Sequence, residues 1–472
     1  MNDEFDVIVL GAGPAGETVA GRCADGGLTV AIVERELVGG ECSYWGCIPS
    51  KTLIRPGDVL AAARRVPGAA EAVTGPVDAD AALARRDEMV SDWSDQGQLG
   101  WLDDHNIELV RGHGRLAGAR VVDVSLDGPV DGGGTIRRLT TRRAGVVATG
   151  TGASIPNIDG LRDAAPWDNR TVTAAKALPE RLLVLGGGAI GTEMAQAFKR
   201  LGCREVTVIE ASPRLLANEE PFAGKEVQAA FEAEDITVIT GSKVTAAIRQ
   251  ASDGPVVTSL DDGRSFEADE ILVAVGRRAS TTDLGLDSVG LGDRAGKYLD
   301  VDDRFRVDGA QGDWLYCVGD TNGRALLTHM GKYQGRLCGD IILGKPGVVD
   351  VADHGIVPRV TFTDPQVCAV GLTERQAREQ GLDVRVVSYG TGDVAGASTR
   401  GKGITGTSQL VIDLSRRIIV GATFTGPEVQ ELLHSATVAI AGEVTLDQLW
   451  HAVPVFPTIS EVWLRLLEAY GL

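Results

Sequence analysis

The sequence predicts an α/β protein: two copies of a strand, glycine-rich turn, helix and strand unit, one set inside the other, followed by a separate α+β domain. Three observations carry that prediction. A GxGxxG turn behind an apolar strand occurs at 11–16 and again at 186–191 of the 472-residue chain. Short apolar strands ending in glycine, at 144–150 and 271–276, bracket the second copy. From about residue 348 the pattern changes to strand-rich segments with two or three helices. Chance duplication of so long a pattern is improbable.

Taken in order, residues 5–10 read as an apolar strand and Gly11-Ala12-Gly13-Pro14-Ala15-Gly16 as the turn into a helix. A second strand, 28–33, ends in Glu34. An acid about 20 residues beyond GxGxxG is the Rossmann-like dinucleotide fingerprint. Its glycines, here Gly11, Gly13 and Gly16, let the backbone approach a pyrophosphate, and the carboxylate takes ribose hydroxyls.

Directly afterwards comes Gly39-Gly40-Glu41-Cys42-Ser43-Tyr44-Trp45-Gly46-Cys47-Ile48-Pro49-Ser50-Lys51. An undistorted helix carries residues five apart to different faces, beyond the Cα separation of about 4.4–6.8 Å that a disulfide tolerates. Bridging Cys42 to Cys47 therefore requires a deformed turn, and such a bond is more reducible than a structural staple. The alternative is two ordinary buried thiols in a helix. The dinucleotide turn just upstream favours the redox reading and a flavin at the first site.

The second copy runs from a strand at 181–185 through Gly186-Gly187-Gly188-Ala189-Ile190-Gly191 and a helix at 192–201 to a strand at 206–209 ending in Glu210. Two such units imply two dinucleotides. Glu210 accepts from a 2′-hydroxyl and repels a 2′-phosphate, which predicts NAD(H) over NADP(H). Arg214 reads as a solvated surface charge. Thr149 and Gly150 close one bracketing strand and Gly276 the other, with crossings near 152 and 277. The expected domains are 1–152 with 277–347, an inserted 153–276, and 348–472. A further strand at 314–320 ends in Gly319-Asp320, and a helix follows from about Leu326.

A chain with 43% hydrophobic residues buries large cores. Its net charge of −19 argues against nucleic acid or an anionic membrane surface as the main partner. No apolar run approaches a membrane span, and Met1-Asn2-Asp3-Glu4 lacks the basic start of a secretory signal. Seven cysteines, sparse and odd in number, fit a reducing, cytoplasmic setting with one special pair. Cys23, Cys203, Cys317, Cys338 and Cys368 read as buried thiols. No metal site is expected.

Together these residues resemble the flavoprotein disulfide reductases, the class I pyridine nucleotide-disulfide oxidoreductase family that contains dihydrolipoamide dehydrogenase, glutathione reductase and mercuric reductase. The likeness spans essentially the whole chain: GAGPAG at 11–16, GGECSYWGCIPSK at 39–51, GGGAIGTEMA at 186–195, YCVGD at 316–320 and FTDPQVCAVGLTE at 362–374. It implies an FAD domain, an NAD domain and a C-terminal dimerisation domain that completes each active site in trans within a homodimer. By the same resemblance Gly11, Gly13, Pro14, Ala15, Gly16, Glu34, Gly40, Thr149, Gly150, Gly319 and Asp320 serve FAD, with Glu34 and Asp320 on its ribose and ribityl hydroxyls. Gly186, Gly188, Ile190, Gly191, Glu210 and Gly276 serve NAD. Cys47 is then the thiol against the flavin and Cys42 the interchange thiol facing substrate. Lys51 lies near flavin N5 and pairs with Glu193. Electrons pass from NADH through FAD and the dithiol to a small-molecule acceptor.

Two places depart from the family: Tyr44 and Trp45 stand between the cysteines where small or amide residues are common, and the C-terminal segment differs. The usual C-terminal pattern is His-Pro-Thr with a glutamate five residues after the histidine; this chain has Val455-Phe456-Pro457-Thr458-Ile459-Ser460-Glu461. Phenylalanine moves no proton, so ordinary dithiol–disulfide turnover is disfavoured and the acceptor is left open. His451 and His329 are candidate substitutes, each weighed below a structural role, and His434 reads as structural. Tyr44 and Trp45 line an acceptor pocket or pack against the flavin, with equal weight. A direct quinone or dye reductase, a dihydrolipoamide dehydrogenase-like or carboxylase-like enzyme with altered acid/base, and a flavin-bound redox sensor are the alternatives.

Overall fold

The computed structural model describes residues 3–126, 134–251 and 254–472. The chain opens with β1 (Glu4–Leu10), α1 (Pro14–Asp25), β2 (Val30–Glu34), α2 (Gly40–Tyr44), α3 (Cys47–Arg65), α4 (Ala79–Met89) and α5 (Gln96–Asp104). Next come β3 (Ile107–Arg111), β4 (His113–Leu116), β5 (Val121–Ser125), β6 (Ile136–Val147) and β7 (Thr151–Ala153). The middle holds α6 (Asn169–Ala174), β8 (Arg181–Leu185), α7 (Ala189–Leu201), β9 (Glu205–Glu210), α8 (Pro221–Ala233) and β10 (Ile236–Thr240). It continues with β11 (Val244–Arg249), β12 (Val256–Leu260), β13 (Ser265–Ala268), β14 (Glu270–Val273), β15 (Arg277–Ala279), β16 (Leu315–Cys317) and α9 (Thr328–Ile342). The last stretch carries β17 (Arg359–Thr361), β18 (Gln366–Gly371), α10 (Glu374–Glu379), β19 (Val384–Gly390), α11 (Ala395–Ser398), β20 (Thr407–Asp413) and β21 (Ile418–Gly426). It closes with α12 (Gln430–Ala441), α13 (Leu446–Leu449) and α14 (Val462–Tyr470).

Two compact units result. The first comprises Met1–Pro49, Asp87–Ser154 and Gly276–His354. Its sheet runs β3-β2-β1-β6-β5-β4, with β16 also on β6. β1 and β2 are almost wholly apolar because parallel strands are buried on both faces; Val7, Ile8 and Val9 are fully buried. The sequence suggested a strand confined to 144–150, but β6 starts at Ile136. Its first residues pair antiparallel with β5, and that half-exposed pairing needs only alternating side chains. Helix α9 packs on α1 through glycines: a Cβ on Gly335 would lie 2.8 Å from the Ala15 carbonyl.

The second unit comprises Ser50–Arg86, Ile155–Val275 and Gly355–Leu472. It holds the parallel sheet β10-β9-β8-β14, the antiparallel β11-β12-β13 and the antiparallel sheet β17-β18-β21-β20-β19. Phe198, Phe231 and Phe424 are fully buried here, where truncation to alanine costs about 3–5 kcal/mol each. Arg200, only 12% exposed, reaches Glu234 at 2.6 Å, Asp364 at 2.8 Å and Asp58 at 3.1 Å. Arg214, expected to be a solvated charge, instead donates to the carbonyls of Leu216, Ala217 and Glu219 at 2.7–2.8 Å. An unsatisfied run of loop carbonyls recruits the guanidinium, whose five donors suit that geometry. Among the described residues no helix is long and apolar enough to cross a membrane.

Candidate functional site

Two turns of the same design stand one in each unit. At the first, Gly11 has φ +101°, and a Cβ there would meet the Ala148 carbonyl at 2.4 Å; one on Gly16 would meet the Gly11 carbonyl at 2.0 Å. At the second, Gly186 has φ +110° and the Ala274 carbonyl at 2.5 Å, and Gly191 faces the Gly186 carbonyl at 1.9 Å. In each turn the middle glycine, Gly13 or Gly188, has nothing within 4 Å of a built Cβ, leaving its backbone open. The acid ending the next strand grips the turn. Glu34 accepts from the Ala12 and Glu36 N–H groups at 2.8 and 2.7 Å, and Glu210 from those of Gly187 and Ser212 at 2.6 Å. Pro14 opens α1 and Ala189 opens α7, so each helix N-terminus adds its dipole to the cradle. Ala15 lies on α1 and the exposed Ile190 on α7.

The first turn fits a dinucleotide. Gly11, Glu34, Thr149 and Arg278 line a cavity of about 270 Å³, and Thr149 Oγ1 is buried without a partner among the described residues, a group that a ligand would satisfy. Gly150 follows with φ +70°, its N–H on Thr321 Oγ1 at 2.7 Å. Asp320 accepts from the Thr151 hydroxyl at 2.8 Å, and its carboxyl is raised above the ordinary range by burial. Gly319 has φ +72° and leaves 2.9 Å between a built Cβ and Ala15. Gly276 has φ +142° with nothing within 4 Å.

The cysteines sit at the deformed turn that their spacing requires. α2 ends at Tyr44 and α3 begins at Cys47, so the helix is broken between them. Gly46 is needed there, since its Cβ would crowd the Glu41 carbonyl at 3.1 Å and Cys42 Cα at 3.2 Å. Gly40, φ +59°, allows α2 to abut Gly13, with 2.8 Å to a built Cβ. The two cysteines are not bridged, Cys42 half-buried and Cys47 exposed, and Cys47 Sγ lies 3.3 Å from Thr328 Oγ1 on α9. The Cys42 thiol is pushed far up, first by its hydrogen bond to Cys47, then by burial and the charge on Cys47. Tyr44 is buried and donates from its hydroxyl to the Val38 carbonyl at 3.0 Å, which makes it an anchor of the motif. Trp45 stays half-buried, edge-on to Tyr44 at 5.7 Å. The other five cysteines are buried.

In the second unit Lys51 Nζ lies 2.6 Å from Glu193 Oε2 and 4.8 Å from the Phe362 ring centre. Glu193 Oε1 also accepts the Phe362 N–H at 2.9 Å. Near the C-terminus Phe456 is 70% exposed, beside Val453 at 83% and Val455 at 72%. Glu461 is buried, held by Arg465 at 2.7 Å and by the Ala395 N–H at 3.3 Å. Arg465 escaped the sequence reading, although its i,i+4 spacing from Glu461 on an amphipathic helix was the signal. His451 and His434 are exposed in the second unit; His329 is exposed in the first turn of α9, beside Thr328. Thr328 was the other residue missed, because a lone threonine carries no motif.

Residues 5–335 match the pyridine nucleotide-disulphide oxidoreductase family and residues 357–466 its dimerisation domain. A mercuric reductase of Lysinibacillus sphaericus is 28% identical over 461 residues, 97% of this chain and 81% of that protein. A dihydrolipoyl dehydrogenase of Mycobacterium tuberculosis is 32% identical over 462 residues, 97% of this chain and 96% of the other. The solved Cu(II) complex of the HOCl-induced flavoprotein disulfide reductase RclA from Escherichia coli superposes with a TM-score of 0.85 at 24% identity, covering 99% of both chains. Two Rossmann-like domains, a dimerisation domain and a cysteine pair at a broken helix thus converge: the chain belongs to the pyridine nucleotide-disulphide oxidoreductases, enzymes that work with FAD and NAD(P).

Proposed function

We propose that this enzyme carries electron pairs from NADH, by way of FAD held at the first turn, to the Cys42–Cys47 pair, and from the dithiol to an acceptor that takes no proton from the C-terminal segment. The observation that carries the reading is the cysteine pair itself: hydrogen-bonded at a helix break, with Cys47 beside Thr328. Bound between Glu34 and the Gly319–Asp320 turn, FAD would supply the two-electron link between a nicotinamide and a thiol pair. The chain's own residues do the rest. Gly11, Gly13 and Gly16 admit the pyrophosphate, and Thr149 offers it or its neighbours a free hydroxyl. Glu193 fixes the Lys51 ammonium. Glu210, aimed along its own turn, favours NADH because a 2′-phosphate would meet a carboxylate.

The acceptor follows from the C-terminal residues. Phe456 moves no proton and Glu461 is neutralised by Arg465, so a substrate that needs a base to activate an incoming dithiol is disfavoured. Oxidising the dithiol to a disulfide releases two electrons and its remaining protons, and a thiol-reactive acceptor takes the electrons without further help. The exposed run of Val453, Val455 and Phe456 supports a homodimer in which a second copy covers it. A direct FAD-to-quinone route is the second reading, supported by the same missing acid/base.

Anaerobic titration with NADH tests the proposal. Uptake of more than two electrons per FAD, with a long-wavelength charge-transfer band, is expected of the wild type; Cys42→Ser should take up two and lose reduction of thiol-reactive acceptors. Bleaching by two electrons alone, with quinone reduction unchanged in Cys42→Ser, would replace the thiol route by the direct one.

A further inference from the structure

Asp350 and Asp353 lie in the interior of the first unit, their side chains 0% and 2% exposed. Among the described residues one guanidinium pairs with them, that of Arg324, at 2.8 Å from Asp350 Oδ2 and 3.9 Å from Asp353 Oδ2. Two buried carboxylates against a single cation do not both ionise without a large penalty. Asp353 Oδ2 accepts from Gln334 Nε2 at 2.7 Å, whereas Asp353 Oδ1 is buried and accepts nothing from the described residues. The two carboxyls lie within hydrogen-bonding reach of each other, and Asp350 Oδ1 also accepts the Asp353 N–H at 3.3 Å, so one proton held between them replaces a repulsion by a hydrogen bond. Gln334, itself fully buried, turns its other end to the cofactor side: Oε1 accepts the Gly319 N–H at 2.7 Å and Asn322 Nδ2 at 2.9 Å. The carboxyl pair is therefore two hydrogen bonds from the Gly319–Asp320 turn.

We propose that Asp350 and Asp353 share one proton and that this pair, acting through Gln334, positions the Gly319–Asp320 turn so that the hold on FAD weakens as pH rises. The inference rests on the assignment of FAD to that turn. Asp350, Asp353 and Gln334 are positioning residues. Burial first, and then Asp350, pushes the Asp353 carboxyl up to about 7, so the shared proton leaves near neutrality. The other charged or titratable groups around the pair are Asp303, 3.6 Å behind Arg324; His354, on Asp303 at 3.0 Å; Arg304, on the Val348 carbonyl at 3.4 Å; and Tyr333, whose hydroxyl accepts the Val351 and Ala352 N–H groups. With the proton gone, a second negative charge is buried against one guanidinium, and the 350–353 segment is pushed away from α9 and Gln334.

The test measures the FAD release rate of the purified holoprotein at about pH 6 and about pH 8.5, on either side of the pair's titration. The wild type should release FAD severalfold faster at the higher pH. Asp353→Asn, whose amide donates to Asp350 and still accepts from Gln334, should keep the slow rate at both. An equal pH dependence in the two proteins overturns the proposal. Infrared difference spectroscopy gives a second readout, independent of FAD. Glu17 and Asp58 contribute the same protonated-carboxyl signal to every variant, so the signal lost between the lower and the higher pH should be smaller by one carboxyl in Asp353→Asn than in the wild type, or in Asp350→Asn if the first variant does not fold. An equal loss in wild type and variant refutes the shared proton. A protein that takes up no FAD refutes the cofactor assignment instead, while the infrared band still decides the state of the pair.

Discussion

Glu193 serves two donors with one carboxylate, the Lys51 ammonium at 2.6 Å and the Phe362 N–H at 2.9 Å, while only 5% exposed. Glu193→Gln keeps the amide contact and removes the charge. With Lys51 about one-third exposed, the loss expected in chemical denaturation is about 2 kcal/mol, below that of a fully buried pair. Phe456 and Glu461 allow a sharper test. Phe456→His alone should add little dihydrolipoamide turnover, because Arg465 occupies the carboxylate that would orient the imidazole. Adding Arg465→Gln should raise that turnover by roughly tenfold or more over the single variant, within the range of general acid–base catalysis. Equal rates in the two variants would show that Arg465 does not hold Glu461 back. At this scale the sequence was informative wherever a residue type has one job. The placement of Glu34 and Glu210 at strand ends and of the two cysteines at a deformed turn was legible. Arg214, Gln334 and Asp353 were not, because their partners lie elsewhere in the chain or in carbonyls that carry no signature.

Among the elements, the twin turns were the most legible part. The strand expected at 181–185 is β8 residue for residue, and the helix expected after Gly191 is α7 with one extra turn at its start. Both are fixed by local chemistry, a buried parallel strand and a glycine at positive φ. The meander β11-β12-β13 was missed, as was the polar half of β6, since antiparallel strands open to solvent need only a weak alternation. The twin geometry also separates the two sites by experiment. Gly11→Ala and Gly186→Ala each force a Cβ to within about 2.5 Å of a carbonyl at a φ that suits glycine alone. Gly11→Ala should purify with less FAD. Gly186→Ala should keep its FAD and raise the KM for NADH; loss of FAD from both would mean that the turns do not act separately.

Across the whole molecule, buried carboxyls set the response to pH. Burial pushes Glu17 up to about 7 and Asp58 up to about 6, while hydrogen bonds from Arg142 and Arg416 hold Asp6 and Asp413 down to about 2. An acid raised in the folded state stabilises it below its unfolded value of about 4, and that contribution fades as pH climbs towards 7. A depressed acid contributes above about 4 and its contribution is lost as pH falls towards 2. The sum predicts greatest thermal stability on the acid side of neutrality. A melting temperature higher at about pH 8 than at about pH 5.5 would contradict it. Self-repulsion from a net charge of −19 acts in the same direction.

The Arg465–Glu461 contact also bears on how such a chain could be varied. A histidine placed at 456 meets a glutamate already engaged, and freeing the buried glutamate alone supplies no imidazole for it to orient. Neither single change builds a proton relay by itself. The contact works as a latch with two keys, so a library that varies position 456 alone explores little new chemistry, whereas one that varies 456 and 465 together reaches it.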